Sequence, residues 1–168
     1  MGITRRAPAR TRAGVNRADK VARVLLAHSH LWERLSPDEH VLLGELPDPH
    51  GGLLRWLEAQ LHEHGPLPWG ALHEALNGHS AAGDSGHDHD EPSARLARQL
   101  MQDDALLPGE DAAEALEELR NLLKALHIDQ LKAEESAALA DLQANPEDAA
   151  AQQRYRDLHA RRQALQAP

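Results

Sequence analysis

The chain has 168 residues, enough for one domain with a small appendage, and a hydrophobic fraction of 41% that supports a folded core. It carries no cysteine, which excludes disulfides, thiolate nucleophiles and Cys-ligated zinc. The net charge of −9 argues against a nucleic-acid-binding domain, because phosphates would be repelled.

With no Phe, one Tyr and three Trp, the core must be built from Leu and Ala. β-branched residues are scarce, being Ile3, Thr4, Thr11, Val15, Val21, Val24, Val41 and Ile128. Strands have almost no support, and the expected fold is all-α.

Residues 1–14 hold Arg5, Arg6, Arg10, Arg12, Pro8 and Gly14, and read as a flexible tail or linker. The natural chain is expected to extend upstream of Met1. The arginines precede no apolar segment of a signal peptide, and no apolar run reaches membrane-spanning length.

Val15 to about Leu35 reads as the first helix, with Val21, Val24, Leu25, His28, Leu31, Trp32 and Leu35 on one face. Ser36-Pro37-Asp38-Glu39 is a capping box with proline at the first helical position, and predicts a short helix to Gly44. Asp48-Pro49 starts another helix, carrying Leu53, Leu54, Trp56, Leu57 and Leu61 and stopping at His64-Gly65-Pro66. A brief helix follows from Pro68 to about Leu76, ended by Asn77-Gly78. Pro92 to about Gln102 is the next, with Leu96 and Leu100 inward, before a break at Leu106-Leu107-Pro108-Gly109. Trp32, Trp56 and Trp69 are expected to anchor the core.

The stretch from Gly78 to Glu91 mixes glycine with His79, His87, His89, Asp84, Asp88 and Asp90. Imidazole and carboxylate suit zinc or nickel, but the spacing matches no closed-site pattern; a solvated polar loop is the better reading. His62 and His64, two apart at a helix end, do not share a face and read as surface residues. No nucleophile–base constellation, glycine-rich phosphate loop or nucleophile elbow is present, so no catalytic activity or cofactor is expected.

From Glu110 to Gln143 almost nothing breaks a helix, and Leu116, Leu119, Leu123 and Leu126 form a packing seam. At Asn145-Pro146-Glu147-Asp148, Asn145 suits a cap, Pro146 the first helical position, and the two acids the helix dipole. A return helix then runs nearly to Pro168. The organisation predicted is a helical bundle over residues 15–130 and an antiparallel helical hairpin over 131–168. Leu131, Ala138, Leu139 and Leu142 line one arm, and Ala151, Tyr155, Leu158 and Leu165 the other. A two-helix hairpin has one internal seam, so its outer faces stay free. Arg154, Arg156, Arg161 and Arg162 make the last helix basic within an acidic chain, which suits a polar interface rim.

The order of elements resembles the C-terminal helicase-binding domain of bacterial DnaG-type primases. The corresponding stretches are Val21 to Leu35, Asp48-Pro49-His50 with the Leu53–Leu61 helix, and Ala94-Arg95-Leu96-Ala97-Arg98-Gln99-Leu100. Leu116-Glu117-Glu118-Leu119-Arg120-Asn121-Leu122-Leu123 then runs into a charged helix and a hairpin closing with Tyr155-Arg156-Asp157-Leu158. The resemblance covers roughly residues 17–166 and rests on pattern and position. It implies a helical bundle and hairpin that dock on the N-terminal domains of a DnaB-type ring helicase. It also implies a cytoplasmic replication protein whose primer synthesis belongs to other domains upstream. On this reading Leu139, Leu142, Arg154, Tyr155, Leu158 and Arg162 form the docking surface, and the isolated chain is a monomer. The rival readings are a metal-binding helical protein using the His79–His89 loop and a self-associating helical scaffold.

Overall fold

A computed structural model describes residues 12–78, 92–102 and 111–168, and these are all-helical. The seven α-helices are α1 (Arg12–Ala27), α2 (Pro37–Gly44), α3 (His50–His64), α4 (Trp69–Gly78), α5 (Pro92–Gln102), α6 (Ala112–Ala144) and α7 (Ala149–Gln166). A 3₁₀ segment, Ser29–Arg34, follows α1. No helix among them is long and apolar enough to cross a membrane. The expected tail over residues 1–11, the His79–His89 loop and the Leu106–Gly109 break lie outside the described residues.

The chain divides into two units, Ala18–Leu122 and Leu123–Pro168, the second including the segment that ends at Arg17.

In the first unit, the predicted single helix over 15–35 is interrupted. His28 leaves helical geometry at φ −127°, ψ 64°, and the chain continues as the 3₁₀ segment. The buried Ser29 hydroxyl donates to the Leu67 carbonyl at 2.5 Å. The apolar spacing still delivers Val21, Val24, Leu25, Leu31, Trp32 and Leu35 to the core. The capping box is complete: Ser36 Oγ accepts from the Glu39 amide at 3.3 Å, and Glu39 Oε2 accepts from the Ser36 amide at 2.7 Å. Asp48 performs the same service for α3, its carboxylate accepting from the Gly52 amide at 3.0 Å.

α3 packs on α2 and α5, and α4 on α5. It buries Leu53, Leu54 and Leu57, and holds His50 at 5% exposure with Nε2 2.6 Å from an Asp19 carboxylate oxygen. On α5 the buried set is Ser93, Ala97, Leu100 and Met101; Leu96, expected inward, is half-buried. Only Trp32 of the three tryptophans is a core residue; Trp56 and Trp69 are half-buried. The Gly51-Gly52 pair marks a close approach. A Cβ at Gly51 would stand 1.9 Å from the Leu46 carbonyl oxygen, and one at Gly52 would stand 2.2 Å from Ser93 Oγ.

α6 is 33 residues long, about 50 Å at 1.5 Å per residue. Leu119, Leu123 and Leu126 of its predicted seam are buried, as is Ala115, while Leu116 is half-buried.

Candidate functional site

The second unit contains the C-terminal hairpin. α6 ends where the Asn145 amide donates to the Asp141 carbonyl at 2.9 Å. The cap of α7 is Asp148, not Asn145: its carboxylate accepts from the Ala150 and Ala151 amides at 3.0 and 3.1 Å. Asn145 is committed to closing the preceding helix, and its carbonyl accepts from the Asp148 amide across the turn. Pro146 and Glu147 therefore lie in the turn. Gln152 fastens it by donating to the Pro146 carbonyl at 2.8 Å.

Three cross-hairpin contacts fix the antiparallel register. Arg154 Nη2 donates to Asp141 at 2.5 Å. Arg162 grips Glu135 with two donors, Nε at 2.6 Å and Nη2 at 3.2 Å. His159 Nδ1 lies 2.6 Å from the second Glu135 oxygen. The Arg162 hydrogen bond first, and the His159 contact second, hold the Glu135 carboxyl at about 2, well below its ordinary 4.5. In return Glu135 raises the Arg162 guanidinium above its ordinary value. His159 also stacks on Tyr155, with ring centroids 6.0 Å apart, and Gln163 Nε2 reaches its far nitrogen at 2.8 Å. At the near end of the unit, Arg17 is paired with Asp129.

Beneath these polar ties runs a thin apolar seam. Leu131, Ala138 and Leu158 form it, with Tyr155 and Leu165 packed alongside. From Lys132 to Gln166 the buried residues are Ala138, Ala151 and Leu158; every other position is half-buried or exposed.

The residues expected to form a docking surface fall into different places. Leu139 is 44% exposed, and Arg154 is exposed. Leu142 and Tyr155 are half-buried. Leu158 is turned into the seam, and Arg162 is occupied by Glu135. Glu135, His159 and Asp141, which sequence reasoning passed over, organise the hairpin. Their signal was available: an antiparallel register about the 145–148 turn sets Asp141 opposite Arg154 and Glu135 opposite His159 and Arg162. Among the described residues, no three His, Asp or Glu side chains gather as a metal site.

No family model matches the chain, and neither a curated protein nor a solved structure matches it.

Proposed function

We propose that this chain is a helicase-interaction domain of a replicative primase, a cytoplasmic non-catalytic module that docks on a DnaB-type ring helicase. Its work is recruitment: holding a primer-synthesising partner domain near newly unwound template and stimulating the helicase. One observation carries the reading. The hairpin keeps its two helices together with a seam of few residues and Glu135-centred ion pairs, leaving nearly all of its outer surface open. A pair of helices built this way offers area to a partner without being dissolved by it. The element order quoted above supplies the identity of the partner.

Calorimetric titration of the chain into a replicative ring helicase tests the proposal. A complex is expected, and a chain lacking residues 132–168 should fail to form it. Equal binding by the shortened chain, or no complex with the intact one, refutes the reading.

A further inference from the structure

The two flanks of the hairpin differ. At about 100° per residue, Leu139 lies on one side of the buried Ala138 and Asp141 on the other. Arg154 reaches Asp141, so it belongs to the Asp141 flank, and Arg161 follows it two turns later. Arg156 sits roughly 140° from Arg161, on the opposite flank with Leu139.

Along the Asp141 flank, α7 carries a shallow concavity lined by Ala150, Gln153, Arg154, Asp157, Leu158 and Arg161. Ala150 and the edge of Leu158 give it an apolar floor, while Arg154 and Arg161 stand at the rim. Arg154 is already drawn to Asp141. Arg161 has no ion-pair partner among the described residues. α7 holds four arginines against one acid, Asp157, in a chain whose net charge is −9. An apolar floor with a cationic rim, extended along a helix axis, matches the ridge of an amphipathic helix with acidic edges. The other flank offers Leu139 alone, and single exposed apolar residues are ordinary.

Resting on the helicase-docking reading, we infer that this flank of α7 seats an acidic amphipathic helix of the helicase, which lies along α7 as a third helix. Arg161 supplies the open charge, Arg154 holds the rim in place through Asp141, and Leu158 presents its edge to the incoming apolar ridge. Rim charges steer encounter, so association weakens as salt is raised.

The test titrates the full chain into the ring helicase at about 50 and about 300 mM salt, where screening differs strongly. R161E is expected to weaken binding by about tenfold at low salt and to flatten the salt dependence. The neutral pair R154Q/R161Q, which adds no like charge beside Asp141, should act in the same direction, with circular dichroism showing that the hairpin persists. R156E and L139E, on the opposite flank, should stay within about twofold of wild type. If R161E and R154Q/R161Q both bind like wild type, or if L139E or R156E weakens binding as much, the assignment of this flank is wrong while the docking function stands. Failure of the wild-type chain to bind removes both.

Discussion

Replacing Gly52 with alanine tests whether α3 and α5 meet as closely as described. The added Cβ would lie 2.2 Å from Ser93 Oγ, where ordinary contact begins at 3.4 Å, so something must move by about 1 Å. Ser93 is 7% exposed and sits on the buried face of α5, so the hydroxyl has little room to turn away. Overpacking of this kind costs about 1–3 kcal/mol. Alanine recovers about 0.5–1 kcal/mol of helix propensity over glycine. The net expectation is a loss of about 1 kcal/mol, a fall in Tm of about 2–4 °C for a chain of this size. The partner change decides the cause. Without the Ser93 hydroxyl, the nearest side-chain carbon is Ser93 Cβ at 3.4 Å, an ordinary contact, leaving only Asp48 Oδ1 at 3.1 Å. Gly52→Ala should therefore be neutral or slightly stabilising in a Ser93→Ala background, giving a coupling of about 1–2 kcal/mol. Urea unfolding of the four proteins, followed by circular dichroism, measures it. Equal cost of Gly52→Ala in both backgrounds would refute the close approach.

Two further outcomes follow from the hairpin. Because the Glu135 carboxyl is held at about 2 against 4.5 when unfolded, its contribution is complete above about pH 4.5 and disappears as pH falls toward 2. Glu135→Gln should thus destabilise the hairpin at neutral pH and lose its difference from wild type by about pH 2, read from urea unfolding across that range; a difference unchanged at pH 2 would contradict the pairing. Leu158→Ala removes the largest seam contact that α7 makes. It should cost about 2 kcal/mol, at the low end for such truncations because Tyr155 and Leu165 can settle inward, and should lower the melting of α7 helicity; an unchanged melt would mean that the seam lies elsewhere.

What could be read from the sequence was what depends on neighbours along the chain. Scarcity of β-branched residues gave an all-helical fold, and Ser36-Pro37-Asp38-Glu39 gave a cap that needs only its own four residues. Where several local solutions compete, tertiary detail chose. Asn145 and Asp148 are both good caps, and the second took the role because the first is spent on ending α6. His28 interrupts the first helix with no proline or glycine to announce it, and Ser29 bonds a carbonyl 38 residues away. Gly51-Gly52 looked like an ordinary helix weakness until Leu46 and Ser93 were seen against it. Leu158 shares its apolar spacing with both an internal seam and an outward face, and periodicity has no means to separate them. The Arg154 and Arg162 pairings were implicit in the turn position, since a fixed turn dictates which residues of two antiparallel arms meet.

So few side chains lie between α6 and α7 that their parting exposes little to water. Amide protons of the last helix should accordingly trade with solvent through a small local opening, well before those of α3, whose Leu53, Leu54 and Leu57 are sealed. A clasping neighbour would slow that trade without altering the fold, which makes isotope uptake at α7 a footprint of occupancy.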